Sequence, residues 1–318
     1  MIFGNLFVIF VLLKSRELRN TRVAIYKVSI ALSDLLHGCL APFIILNQAD
    51  EHRIIQFVLA WYSYFGFWIL TTSVSICTLT AMGLDRLYAV MYPLQIRTSD
   101  SKQKVLSTVF SIWVFSSTIS VTSAYFIATS NKLGRYVSAS GTVLVPEKLK
   151  AAYVAFLMIG LSLTWITSIV LYFSIKKQAR TFSSISAESG RVSQSNRDNT
   201  VAVTLFLMVG AFTASLLPIT IYIAIPKPAP IKCELQYYDG AAAVDKYPGW
   251  LRRLEASVWL IFMTNGLWNC IIYSFRDAGF RNSAKSIFCP CKSTQNLSNS
   301  PSRRQETRTT TAMNCVIE

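Results

Sequence analysis

Asp34 and the pair Asp85-Arg86 are the residues whose setting in this chain asks for chemistry. Asp34 stands in Leu32-Ser33-Asp34-Leu35-Leu36, inside an apolar run. A carboxylate there is costly and by default serves a cation or a proton; a hydrogen-bond anchor to a neighbouring helix is the plainer role, and the two are compatible. Asp85-Arg86 closes another apolar stretch, Trp61 to Leu94, shortly before Pro93-Leu94. No catalytic set accompanies them. The chain has two histidines, His37 and His52, no glycine-rich phosphate loop and no nucleophile paired with a base. Its seven cysteines (39, 77, 233, 270, 289, 291 and 315) show no metal-ligand spacing.

These residues need helices to position them. On a helix, Trp68, Thr72, Ser75, Leu79, Met82 and Arg86 step by three or four and share one face. That face is aromatic at one end, small and polar in the middle, and charged at the other. From Trp68 to Arg86 it spans about 27 Å, close to the thickness of a bilayer's hydrocarbon core. One helix can therefore join an outer pocket to an inner surface.

The composition agrees. Of 318 residues, 52% are hydrophobic and only 15% charged, too apolar for an ordinary soluble domain. Apolar runs lie near 2–13, 28–47, 57–84, 105–129, 151–175, 201–225 and 256–275. Six have the length of a membrane-spanning helix; the first is too short by roughly one-third of a bilayer. The expected architecture is an all-α membrane protein with seven transmembrane helices, the first of them truncated. A seven-helix bundle over 1–288 would precede a polar, disordered tail over 289–318.

The net charge of +15 does not point to nucleic acid. If Lys14 to Lys27 is cytoplasmic, alternate loops and the tail hold 21 of the 31 basic residues but only half of the acids. This asymmetry places the N-terminus outside and the C-terminus inside, and makes membrane lipid headgroups the first partners of the basic residues. Only Cys233 then lies clearly in an outer loop, so no disulfide is expected. Cys289 and Cys291, flanking Pro290 just past the last helix, suit palmitoylation.

Several local features follow in chain order. Pro42 should kink the second span, and the fourth carries Trp113 among many Ser and Thr. Gln178 to Asn199 reads as a mobile inner loop. Pro218 makes a hinge in the sixth span. Ser274 to Arg281 has apolar and basic residues spaced for a short amphipathic helix on the inner surface.

Taken together, Gly4-Asn5, Leu32-Ser-Asp34-Leu, Asp85-Arg86-Leu87 with Pro93-Leu94, Trp113, Tyr172, Phe212 with Pro218, and Asn269-Cys-Ile-Ile-Tyr273 with Phe280-Arg281 follow one order along nearly the whole chain. In this the sequence resembles a rhodopsin-like (class A) G-protein-coupled receptor. The resemblance implies a plasma-membrane receptor that activates a heterotrimeric G protein as the sixth helix swings outward, with arrestin as a second partner. Arg86 would pair with Asp85 and Asp198 in the resting state. Tyr172 and Tyr273 would bond around Arg86 in the open one, and Pro93 and Leu94 would dock the transducer. Asp34, Ser75, Asn265 and Asn269 match an oxygen-rich pocket for an allosteric sodium ion, and no other cofactor is implied. Ile76 and Phe212 match two members of a packing switch.

The departures are as informative. Leu87 replaces the usual Tyr, Cys270 replaces the proline of the seventh-span motif, Leu216 replaces a toggle Trp, and Thr164 stands where the fifth span usually has Pro. Trp61 replaces the cysteine of the usual disulfide. These departures assign no subfamily.

By the same resemblance, Trp68, Thr72, Phe156, Ile219, Thr220, Trp259 and Met263 line the ligand pocket. Amine receptors carry Asp where Trp68 lies, which disfavours a biogenic amine. The extracellular ligand is otherwise of unassigned class. Glu255 is the one carboxylate near the outer end of the seventh span, where a solvated loop-edge charge is its plainer role. The alternative function is a receptor-like decoy or partner subunit with weak or no signalling. A transporter is disfavoured by the lack of an inverted repeat or a second broken helix.

Overall fold

The computed structural model describes the backbone of residues 1–48, 54–92, 101–130, 136–137, 147–183, 189–225, 231–232 and 249–288. It describes side chains over 1–39, 65–92, 102–127, 129, 147–178, 203–225, 250, 253–254 and 256–288. The helices are α1 (Ile2–Lys14), α2 (Arg16–Arg19), α3 (Arg22–Gln48), α4 (Ile54–Met91), α5 (Ser101–Ser130), α6 (Glu147–Ser183), α7 (Ser189–Ala224), α8 (Gly249–Met263), α9 (Asn265–Arg276) and α10 (Ala278–Phe288). Strands β1 (Tyr136–Val137) and β2 (Ile231–Lys232) pair antiparallel. This short ladder, which no sequence pattern announces, joins two segments expected to be outer loops.

Five stretches among the described residues are long and apolar enough to cross a bilayer: Phe65–Met91, Lys102–Ile127, Glu147–Gln178, Val203–Ala224 and Ala256–Arg276. With α1 and the 27-residue α3 they make the expected seven segments. α4 is the hub, packed against α3, α5 and α6. Its window is 67% buried, whereas that of α5 is only 17% buried, with Phe110, Val114, Val121 and Tyr125 facing outward. Apolar side chains on that outward face need no protein partner in a lipid solvent.

Close approach is bought by small residues. A Cβ on Gly160 would lie 2.7 Å from Ile76 Cδ1, so α6 meets α4 at that point only because Gly160 has none. Threonines add hydrogen bonds across helices: Thr80 Oγ1 is 2.7 Å from Thr164 Oγ1, while Thr164 also donates to Gly160 O. Thr164 thus keeps α6 unbroken where a proline would have removed a backbone donor.

One expectation is corrected, and two features are new. The stretch 178–199 is largely helical, because α6 runs to Ser183 and α7 begins at Ser189. The i→i−4 ladder continues past the apolar runs because polar side chains can be solvated there. Gln178 Nε2 donates to Val90 O at 2.5 Å and fixes the end of α6 against α4. The first inner loop contains the single turn α2, capped by Ser15 Oγ, which accepts from Leu18 N. The seventh span is broken at Thr264, ahead of Cys270. Thr264 N is shared between Leu260 O and Ile261 O, and its hydroxyl donates to Ile261 O. Shared and tightened bonds of this kind end one helix and start another.

Candidate functional site

Where the break in the seventh span faces α3, the bundle holds a polar interior. Asp34 is 4% exposed and accepts a hydrogen bond from Asn269 Nδ2 at 2.8 Å. One turn on, His37 Nδ1 lies 3.2 Å from Thr71 Oγ1, and its Nε2 lies 3.2 Å from Met263 Sδ. Ser33 Oγ donates to Thr71 O and lies 3.2 Å from Ser75 Oγ. Asp34, His37, Thr71, Ser75 and Met263 border a narrow cavity of about 10 Å³, lined also by Met1, Thr72, Phe262, Asn265 and Gly266. That is room for roughly one water or one small ion. Carboxylate, hydroxyl and amide oxygens form one wall and suit a hard cation, while an imidazole and a thioether form the other.

The four residues matched to a sodium pocket therefore meet in one place: Asp34, Ser75 and Asn265 line the cavity, and Asn269 is bonded to Asp34. His37 and Thr71 were not singled out. The signal for His37 was available, since three residues after Asp34 on a helix is the same face.

Above this cavity, Trp68 is fully buried at the centre of an aromatic cluster. Its ring centroid lies 4.9 Å from Phe65, 5.1 Å from Tyr153, 5.4 Å from Trp259 and 6.0 Å from Phe262, all edge-on. Phe156 joins by stacking on Tyr153 at 6.3 Å. Ile219 is fully buried, and the hydroxyls of Thr72 and Thr220 donate to carbonyls of their own helices. Of the seven pocket candidates, Trp68 and Trp259 are brought together directly, and Phe156 reaches them through Tyr153. Met263 belongs instead to the Asp34 cavity through His37. Tyr153 and Phe262 complete the cluster and were missed, being single aromatics in runs already rich in them.

The inner end is held by ion pairs. Asp85 Oδ1 accepts from Arg22 Nη1 of α3 at 3.1 Å, so the partner recorded for Asp85 is Arg22. Lys27 pairs with Asp277, which joins α9 to α10, and its ammonium sits 4.7 Å from the centre of the Tyr273 ring. Burial raises the Asp277 carboxyl, but Lys27 and the backbone N–H groups of Phe280 and Gly279 outweigh it, leaving the group below the usual carboxylate range. Tyr273 is fully buried against Phe280, and its hydroxyl has no hydrogen-bond partner among the described residues. Phe212 is buried in the same core as Ile76, Leu216 is 1% exposed where a toggle Trp was looked for, and Pro218 lies within α7. Tyr172 faces outward with Lys176 near its ring. Trp113 of α5 donates to Ser29 Oγ of α3 at 3.0 Å. Pro93, Leu94, Cys289 and Cys291, the tail over 289–318, and the side chains of Pro42, Trp61, Asp198 and Glu255 lie outside the described residues.

Comparison with known proteins now adds an independent observation. A family model described as 7 transmembrane receptor (rhodopsin family) matches residues 4–273. The chain is 30% identical over 232 residues to a probable G-protein coupled receptor, tkr-1, of Caenorhabditis elegans, covering 71% of this chain and 52% of that protein. It is 29% identical over 182 residues to a cholecystokinin receptor of Xenopus laevis, covering 56% and 40%. It is 23% identical over 320 residues to the probable G-protein coupled receptor 21 of Homo sapiens, covering 94% and 83%. The chain spans about half the length, or less, of the first of the curated relatives it matches.

Proposed function

The chain belongs to the rhodopsin family of seven-transmembrane receptors, which are signalling receptors and not enzymes, and on that premise we propose that it relays an extracellular ligand to a heterotrimeric G protein. The N-terminus lies outside and the C-terminus in the cytoplasm, as the basic inner loops require. Ligand contact at the Trp68 cluster shifts α4 and α7. The inner half of α7 then swings outward on Pro218 and uncovers Asp85-Arg86 together with Pro93-Leu94 and Asp198 for the transducer.

The observation that carries this reading is the hydroxyl of Tyr273, fully buried with no partner among the described residues. An unmade bond of this kind costs about 1–3 kcal/mol. Rearrangement that brings Tyr273 and Tyr172 around Arg86 recovers it, so the inner half is set against a second arrangement. Asp34, Ser75, Asn265 and Asn269 hold a sodium ion in the resting state, and its charge is matched by Asp34. Palmitoylation of Cys289 and Cys291 anchors the end of α10, and arrestin engages the same inner face. Trp68 offers no carboxylate to an amine, so the ligand meets a largely aromatic surface.

A second reading, a receptor-like partner subunit that does not signal, draws on the burial of Trp68, whose cluster fills the outer pocket. One assay separates the two. Nucleotide exchange on purified G proteins should show basal or ligand-induced activity that Arg86→Ala abolishes. No exchange on any G-protein class across a broad ligand panel would favour the silent subunit.

A further inference from the structure

The cavity beside Asp34 also presents soft atoms that the sodium pocket does not use. His37 is 6% exposed, and its Nε2 lies 3.2 Å from Met263 Sδ. Met1 lines the same cavity. Gly266 makes room for its thioether, since a Cβ there would lie 2.8 Å from Met1 Sδ. Phe262 meets the imidazole edge-on at 5.3 Å and limits its rotation. One nitrogen and two sulfurs, drawn from α3, α8 and the start of the chain, thus border one small space.

The hydrogen bonds around His37 fix which ring nitrogen carries the proton. Thr71 Oγ1 donates its one proton to Trp68 O at 3.2 Å. Toward His37 Nδ1, also 3.2 Å away, it can then only accept. In the neutral ring Nδ1 therefore holds the proton, and Nε2 presents a lone pair. Met263 Sδ has no proton to offer. Two lone-pair atoms facing each other at 3.2 Å make an arrangement that a cation held between them relieves. Anchoring the far N–H on a neighbouring oxygen is also how proteins orient a metal-bound imidazole.

We propose that His37, Met263 and Met1 bind a soft monovalent cation, copper(I), through donors separate from those of the sodium pocket. Imidazole and thioether are soft, neutral ligands that favour copper(I) and leave hard ions to the oxygens. Three neutral donors add no charge of their own, so a monovalent ion leaves less to balance than a divalent one. Asp34, in the same cavity, supplies the counter-charge. Space of about 10 Å³ admits one ion, so copper(I) and sodium exclude each other. Copper binding depends neither on G-protein coupling nor on a sodium ion.

The test uses the full chain in nanodiscs under nitrogen, with its thiols blocked by N-ethylmaleimide. Copper(I) is supplied as its coloured bicinchoninate complex, and loss of colour reads the metal withdrawn. The wild type should withdraw one copper(I) per chain, and its X-ray absorption spectrum should show nitrogen and sulfur neighbours. Met263→Leu, a swap that nearly conserves volume, should weaken uptake about tenfold or more, as should His37→Leu. Thr71→Val, which removes the anchor of the ring, should weaken it about tenfold. Met263→Leu should keep the sodium-dependent stabilisation, so failure of the copper site and failure of the sodium pocket are read apart. Equal uptake by wild type and Met263→Leu would assign the metal to residual thiols and overturn the proposal. A spectrum with oxygen neighbours and no sulfur would overturn it too, as would displacement of copper(I) by an equal concentration of zinc(II).

Discussion

The outer and inner halves of the bundle are stabilised by opposite means. Around Trp68 the interior is rings packed edge-on. Around Asp34 and below it, the interior is a chain of hydrogen bonds and ion pairs linking α3, α4 and α9. Rings packed at van der Waals distance tolerate few arrangements, because a shift opens voids. Hydrogen bonds can be exchanged between partners, and Tyr273 has one still to make. Under the proposed function, a ligand would wedge into the outer half and a switch would turn in the inner half.

The comparison can be broken at the ring cluster first. Trp68→Ala should cost about 3–5 kcal/mol of stability through the cavity it leaves, read as a lower unfolding midpoint in nanodiscs. Sodium should still raise that midpoint, because the Asp34 cavity is a separate structure. Loss of the sodium response in this variant would join the two halves into one unit.

Asp34→Asn sharpens the inner side. It should abolish a sodium-dependent stabilisation of about 1–3 kcal/mol at saturating salt, measured as midpoint against sodium concentration with potassium held as control. A sodium response that survives the substitution would remove the ion from this cavity.

Gly160→Ala should cost about 1 kcal/mol, since the new methyl falls 2.7 Å from Ile76 Cδ1. Adding Ile76→Val, which deletes that atom, should restore most of the loss in the same melting assay.

Lys27 and Asp277 give the smallest effect, about 1 kcal/mol for a pair partly open to solvent. Because the Asp277 carboxyl is held below its ordinary range, its contribution is complete above the ordinary carboxylate pKa. It is lost as pH falls through the depressed value. Lys27→Met should flatten that acid limb of the stability curve; an unchanged limb would assign it to other carboxylates.

The fold was legible in the sequence where a pattern repeats. Seven apolar runs and the face from Trp68 to Arg86 located the helices, because membrane burial imposes length and period together. Asp34 was legible as a buried carboxylate where carboxylates are costly, and its company of Ser75, Asn265 and Asn269 came from the resemblance to the family. What escaped depends on meetings between distant segments. Arg22 reaches Asp85 across the two helices that separate them in the chain, and Lys27 reaches Asp277 across the sequence. The break at Thr264 is set by one hydroxyl competing for a backbone carbonyl, which no run of apolar residues announces. Tyr153 and Phe262 were hidden among equals: an aromatic in an aromatic-rich span has no distinguishing mark until its neighbours are known.

The central claim is that the inner half of α7 moves outward on Pro218. Fluorophores placed at Lys104 of α5 and Phe206 of α7, both exposed, report the separation of the two inner ends by energy transfer. Addition of nucleotide-free G protein should lengthen that distance by several ångströms, and Arg86→Ala should leave it at the resting value. A distance that stays constant with wild-type receptor while nucleotide exchange proceeds would contradict the claim.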